Sequence, residues 1–135
     1  MDIVAHAHLR TPKVHAPDVS VGAARAFFAD GHVHALLLVD AGVLVAVVER
    51  GDLVGVPDGA RARTVGTLAD RVAGPADDLE ATRQAMAARE QRRLAVVDER
   101  GVLLGLLCLK RHGRGFCSAA DVAAREADRA RNQAG

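Results

Sequence analysis

ALLLVDAGVLVAVV at residues 35–48 and LAVVDERGVLLGLL at residues 94–107 are the two stretches that decide the fold of this chain. Each contains two apolar runs separated by a short turn sequence with Asp and Gly. These two residue types tolerate a left-handed backbone and favour tight hairpins. The apolar runs lack polar alternation, which is typical of strands covered on both faces. The sequence therefore predicts two hairpins, with strands at 35–39 and 43–48 and at 94–97 and 102–107.

The hairpins belong to a longer internal repeat. At an offset of 58 residues the same residue types recur in the same order: Val14 with Val72, Pro17 with Pro75, Arg25 with Arg83, Leu36 with Leu94, Val39 with Val97 and Asp40 with Asp98. One inserted residue in the second turn raises the offset to 59, so that Gly42 aligns with Gly101. A match that keeps its order through both halves indicates that one structural unit is duplicated.

A helix is predicted before each hairpin. In the first copy Ser20 is a candidate N-cap, followed by apolar residues at helical spacing. In the second copy Asp77 and Glu80 have the spacing of a capping box. A further helix is expected to begin at Ser118. One unit of this kind cannot bury both faces of its small sheet, so the two copies are expected to share a core.

The predicted fold class is α/β (α+β), with two tandem motifs that are related by a pseudo-twofold axis. Each motif is a small sheet flanked by helices. We expect the first motif to span residues 1–60 and the second to span residues 61–128, with a frayed C-terminal tail at residues 129–135.

The charge balance narrows the classes of partner. The chain has 18 basic and 17 acidic residues, no Trp and no Tyr. This composition argues against nucleic acid and anionic membranes as partners, because the chain offers no large excess of positive charge and almost no aromatic rings for base stacking. No signal peptide or membrane-spanning stretch is evident in the sequence. We therefore expect a cytoplasmic location, where Cys108 and Cys117 would stay reduced.

The order of these elements resembles a CBS domain. The residues that carry the resemblance are PDVSV at 17–21, LLVD at 37–40, GVLVAVV at 42–48 and DL at 52–53. TVGTLADR at 64–71 is similar to the segment that opens a second CBS repeat. The resemblance covers roughly residues 3–124 and implies a tandem CBS pair, also called a Bateman module. It further implies a homodimer with an adenosine-type ligand, such as AMP, ATP, adenosine or S-adenosylmethionine, in the cleft between the motifs.

The resemblance also assigns site residues in the first copy. The ligand signature of the family is a Gly, then a Thr or Ser seven residues later, then an Asp three residues further. Here Gly42 leads to Glu49 and Asp52. Asp52 therefore occupies the ribose position, because a carboxylate can accept hydrogen bonds from both ribose hydroxyls. Glu49 replaces the hydroxyl residue, and its charge is expected to repel a phosphate.

In the second copy the signature has changed. Cys108 and Arg111 stand where the hydroxyl residue and the ribose carboxylate are expected. Five cationic residues are candidates to face a phosphate or to line the cleft. They are His34, Arg92, Arg93, Arg111 and Arg114. Glycines around Arg114 could form an anion-binding nest. The alternative for the loop at 110–115 is a solvated basic turn without a ligand.

Metal binding and catalysis are not expected. His6 and His8, and also His32 and His34, have a spacing that places both rings on one side of a strand. No Cys or carboxylate lies at ligand spacing around them. No nucleophile triad or phosphate-binding Gly-Lys loop is present in the sequence.

The function predicted from the sequence is that of a stand-alone regulatory or sensory module. It would bind an adenosine-type ligand and modulate a separate, unidentified effector protein. The alternative is a structural dimerisation module without a ligand, in which the nucleotide sites are degenerate.

Overall fold

The structure, a computed structural model, describes residues 2–118. Within that range the helices are α1 (Val21–Phe28) and α2 (Leu79–Ala88), and the strands are β1 (Ala35–Asp40), β2 (Val43–Glu49), β3 (Val72–Ala73), β4 (Arg93–Val97) and β5 (Leu103–Cys108). Short 3-10 helices lie at Val4–His6, Arg50–Leu53 and Ala62–Thr64. The predicted final helix and the C-terminal tail lie outside the described residues.

Both predicted hairpins are present. β1 pairs antiparallel with β2, and β4 pairs antiparallel with β5. β3 adds to the second sheet in parallel with β4. In the first turn Ala41 and Gly42 both have positive φ angles, 49° and 83°, which is the left-handed backbone that a two-residue hairpin loop requires.

The internal repeat is confirmed by the backbone pairing. Ala73 of β3 pairs with Val96 of β4, and His15 pairs in parallel with Leu38 of β1. His15 lies 58 positions before Ala73, and Leu38 lies 58 positions before Val96. The register of both hairpins also shifts at equivalent points, after Leu38 and after Val96. The fold is thus an α+β pair of motifs related by a pseudo-twofold axis.

Side chains repeat the same symmetry. Pro17 and Pro75 each open a turn between the lead-in segment and a helix, as the repeat requires. Arg25 of α1 donates to the carbonyl oxygens of Leu53 and Val56. Its counterpart Arg83 of α2 donates to the carbonyl oxygen of Gly113. Each arginine therefore ties its helix to the loop after the hairpin.

The predicted cap of α1 is confirmed and that of α2 is wrong. Ser20 accepts a hydrogen bond from the Ala23 amide. The N-cap of α2 is Asp78, which accepts from the Ala81 amide at 2.8 Å. Asp77 instead accepts from the Gly74 amide within the preceding turn, so its carboxylate is already used there. Asp78 lies 58 residues after Ser20, so the internal repeat itself indicates Asp78 as the equivalent N-cap.

The two motifs share part of their core. One buried cluster lies between β1, β2 and α1 and includes Leu36 and Leu38. A second cluster lies between the second sheet and α2 and includes Met86 and Leu107. A third cluster joins the sheets and contains Leu37, Leu44, Val47 and Ala95. Because neighbouring β1 residues enter different clusters, the sheet is covered on both faces, as its apolar runs predict.

The opening segment of each motif crosses over to the other motif. Leu9 pairs with Leu106 of β5, and Thr67 pairs with Val47 of β2. The two hairpins also meet directly, because Val43 pairs with Val102. Val4 is fully buried in the cluster of the second motif. Neither α1 nor α2 has the length and apolar content of a membrane-spanning helix.

Candidate ligand-binding site

Asp52 lies in the helical turn Arg50–Leu53 that directly follows β2. Its Oδ2 accepts a hydrogen bond from the Glu49 backbone amide at 2.8 Å. The Glu49 carboxylate in turn accepts from the Asp52 amide, so the two residues form a capping box. This local pairing fixes both carboxylates at the end of the strand.

Arg71, immediately before β3, binds both carboxylates. Its guanidinium makes a bidentate pair with Asp52, with nitrogen to oxygen distances of 2.6 and 3.0 Å. A guanidinium nitrogen also lies 3.2 Å from Glu49 Oε1, and another bond goes to the Val47 carbonyl oxygen at 2.9 Å. The hydrogen bond with Asp52 raises the pKa of Arg71 above its ordinary value, so the group is fully charged. The three residues therefore form an ion-pair triad between the motifs.

Sequence reasoning missed Arg71. A signal was present, because the repeat aligns Arg71 with Lys13 and so places a cation at the same point of both lead-in segments. The triad also changes the expectation for Glu49. Its charge is opposed by Arg71, which weakens the repulsion that it would exert on a phosphate.

Cationic side chains gather around His34, at the start of the first hairpin. The pKa of His34 is lowered to about 4, and burial is the main cause. The other causes are positive charges, in decreasing order those of Arg93, Arg92, Arg50 and His32. The structure thus brings three of the predicted site residues, from both motifs, into one electrostatic neighbourhood.

The strand pairing connects this neighbourhood with the triad. Ala35, next to His34, pairs with Glu49. The Arg71 carbonyl oxygen accepts from the amide of Ala95, two residues beyond Arg93. Asp52 and the cationic residues are therefore carried by adjacent strand ends of the two motifs.

Arg92 already makes bonds within the protein. Its Nε donates to the Leu109 carbonyl oxygen at 3.0 Å, and an Nη of Arg93 donates to the Arg92 carbonyl oxygen at 3.0 Å. These bonds hold the backbone at the entry to β4, where both guanidinium groups add positive charge to the neighbourhood of His34.

Arg111 and Arg114 lie in a tight turn closed by the pairing of Leu109 with Phe116. Both side chains are exposed. The amides of Gly113 and Arg114 donate to the Lys110 carbonyl oxygen and to His112 Nδ1. Because these amides are used internally, the turn offers a weaker anion nest than its glycines suggest.

The first testable consequence concerns the ionisation of His34. Since its pKa of about 4 lies below the value of 6.5 for an ordinary imidazole, the folded protein binds fewer protons there than the unfolded chain does. His34 therefore supports stability above pH 6.5, and this support is lost as the pH falls through 4. We expect the free energy of unfolding to fall more steeply with acidification in the wild type than in His34→Gln. Equal slopes for the two proteins would contradict this assignment.

The two cysteines lie together beneath the basic turn. Cys108 ends β5, and the Cys117 amide donates to the Cys108 carbonyl oxygen at 2.7 Å. Both residues are buried thiols with their Sγ atoms 2.6 Å apart. We predict two titratable thiols per chain in protein that is denatured without reductant. A count of zero would mean that oxidation joins them and would overturn the expectation of a reducing location.

The histidine pairs do not assemble a metal centre within residues 2–118. No group of three or more His, Cys, Asp or Glu side chains in that range is placed to hold an ion. His6 instead lies 3.6 Å from the Asp2 carboxylate, and His8 packs against the backbone of Leu9.

Comparisons with known proteins agree on the fold. No family model and no curated protein sequence matches this chain. Among solved structures, the CBS domains of a transcriptional regulator from Streptococcus pneumoniae superpose with a TM-score of 0.66 at 15% identity, covering 80% of this chain and 93% of that one. CBSX2 in complex with AMP gives a TM-score of 0.64 at 25% identity, covering 82% and 91%.

A third structure adds a pair with other adenosine-type ligands. The CBS domain pair of protein MJ0100, in complex with 5′-methylthioadenosine and S-adenosyl-L-methionine, gives a TM-score of 0.62 at 14% identity and covers 95% of this chain and 98% of that one. The two chains match over almost their whole length, as the sequence repeat requires. The chain has the fold of a tandem CBS domain pair, a Bateman module.

Proposed function

We propose that this chain is a regulatory module that binds an adenine nucleoside or nucleotide in the cleft between its two motifs. The observation that carries the proposal is the position of Asp52, a carboxylate fixed at the first turn after β2 and bound by Arg71 of the second motif. A carboxylate suits the ribose hydroxyls, and arginines suit a phosphate. CBSX2 with AMP and the MJ0100 pair with 5′-methylthioadenosine and S-adenosyl-L-methionine support this choice of ligand class.

The roles proposed for the site follow from charge. Asp52 binds the ribose, and Arg92 and Arg93 lie toward any phosphate. His34 is neutral at physiological pH, so it contributes hydrogen bonding rather than charge. Arg111 and Arg114 are the more distant candidates, because they belong to the turn after β5.

A phosphate at this place would change the ionisation of His34. A bound anion would offset the positive charges of Arg93 and Arg92 and so raise the pKa of His34 from about 4. An NMR titration of the His34 ring, with and without AMP, measures this shift directly. An unchanged pKa in protein saturated with AMP would place the phosphate elsewhere.

A ligand panel tests the proposal as a whole. Thermal unfolding is measured with AMP, ADP, ATP, adenosine, S-adenosylmethionine and NAD. A ligand at 100 times its dissociation constant stabilises the folded state by about 2.7 kcal/mol. We expect at least one adenine compound to raise the midpoint. If none does at millimolar concentration, the ligand-free dimerisation module becomes the better account.

We propose that the role is regulatory rather than catalytic, and that the module acts as a homodimer on a separate partner protein in the cytoplasm. Exposed apolar side chains are available for association, among them Val14 and Leu68, which are 46% and 38% exposed. Light scattering at micromolar concentration should give twice the mass of the chain. A monomer mass would exclude the homodimer without affecting the ligand proposal. We retain residues 1–60 and 61–128 as the proposed limits of the two motifs.

A further inference from the structure

The bonds of Asp52 leave too little room for a ribose. An ionised carboxylate offers about four lone-pair sites. Oδ2 accepts from Arg71 and from the Glu49 amide, and Oδ1 accepts from Arg71. About one site remains, whereas a ribose diol donates two hydroxyl hydrogen bonds. A nucleoside therefore cannot bind Asp52 through both hydroxyls while the pair with Arg71 stays closed.

The pair is sheltered, so water does not readily open it. The side chains of Arg71 and Asp52 are 14% and 17% exposed. The bidentate geometry and the additional bond to the Val47 carbonyl oxygen fix the guanidinium. The Arg71 backbone is anchored in the second sheet through the Ala95 amide, whereas Asp52 belongs to the first motif. Opening the pair therefore removes a direct link between the two motifs.

We propose that Arg71 is an internal competitor of the ribose at Asp52, which makes it a specificity-determining residue of this half-site. This inference rests on the proposed function. Binding of a neutral nucleoside must displace the guanidinium, so Arg71 weakens that binding. A ligand that carries a phosphate compensates for the loss, because the displaced guanidinium can pair with the anion. Arg71 thus favours nucleotides over nucleosides.

The second copy lacks this device. Arg111 takes the place of Asp52, and Lys13 takes the place of Arg71. Both side chains are exposed, and Lys13 lies over the ring of Phe27. The internal competition is therefore a property of the first half-site.

Calorimetric titration with adenosine and AMP tests the proposal on Arg71→Met. The matched control is Arg63→Met, which removes an exposed arginine from the same connecting segment. We expect Arg71→Met to bind adenosine about tenfold to a hundredfold more tightly than the wild type, since one charge-assisted pair no longer has to open. Its preference for AMP over adenosine should shrink. Arg63→Met should match the wild type, and adding Asp52→Ala to Arg71→Met should abolish the gain.

The outcomes separate the two proposals. One outcome is that the wild type binds AMP, but Arg71→Met binds adenosine no more tightly than the wild type does. In that case the competitor role is wrong and the proposed function stands. If neither protein binds any adenine compound, both proposals are wrong.

A second variant, Arg71→Lys, covers the case in which Arg71→Met fails to fold. Lysine keeps the positive charge but lacks the planar guanidinium, so it cannot reproduce the bidentate pair with both Asp52 oxygens. Affinity for adenosine should increase over that of the wild type, by less than in Arg71→Met. An Arg71→Lys protein that binds adenosine no more tightly than the wild type would overturn the competitor role.

Discussion

Leu37→Ala is expected to lower the free energy of unfolding by about 2–5 kcal/mol, the usual cost of removing a buried leucine side chain. Leu37 is 2% exposed and lies in the cluster between the sheets, with Ala95 of the second motif. Because this cluster belongs to both motifs, the variant should destabilise both together. Denaturant unfolding should remain a single transition, and hydrogen exchange should accelerate in β4 as well as in β1.

Val54→Ala is the matched control for this prediction. Val54 is also an apolar residue of the first motif, but it is 81% exposed, so its truncation should change stability by less than about 0.5 kcal/mol. If Leu37→Ala accelerates exchange only in the first motif, or splits unfolding into two transitions, the motifs do not share a core as described.

Gly105→Ala is expected to cost about 3 kcal/mol, at the upper end for overpacking. A Cβ at this position of β5 would clash with His8 Nδ1 and with the Leu9 carbonyl oxygen. His8 could move, but Leu9 is held by two backbone bonds to Leu106, of 2.8 and 2.9 Å. The substitution therefore has to displace backbone and loosen the crossover segment from β5.

Gly31→Ala serves as the control, since its Cβ would meet nothing within 4 Å. Chemical denaturation of both variants gives the comparison. A Gly105→Ala protein as stable as Gly31→Ala would show that the crossover segment does not pack on β5 as closely as described.

The repeat made most of the fold predictable from sequence. Apolar runs and turn residues identify the hairpins because strand burial and tight turns have strong residue preferences. The crossover could not be predicted, because pairing between distant segments leaves no local pattern. Gly105 illustrates this limit. Its counterpart in the repeat is Ala46 of β2, which is not a glycine. Where the segment around Thr67 crosses over to β2, the glycine lies on the crossing segment, as Gly66. A Cβ on Gly66 would be 2.8 Å from the Val47 carbonyl oxygen.

The candidate site was predictable only in part. The resemblance indicates Asp52 because the spacing from Gly42 is a local property of the chain. Arg71 escaped prediction because its role depends on a contact across 19 residues between two motifs. The spacing between Asp77 and Glu80 predicted Asp77 as the N-cap of α2, whereas Asp78 is the cap. The prediction was wrong because two neighbouring aspartates precede the helix and either one is a suitable capping residue.

The proposed function requires that an adenine ligand binds between the motifs with its ribose at Asp52. NMR mapping of backbone amides during titration with AMP tests it most directly, because it reports binding and location together. We expect saturable shifts centred on residues 49–53, on Arg71 and on residues 92–93. No saturable shift at millimolar AMP, or shifts confined to residues 110–115, would contradict the claim.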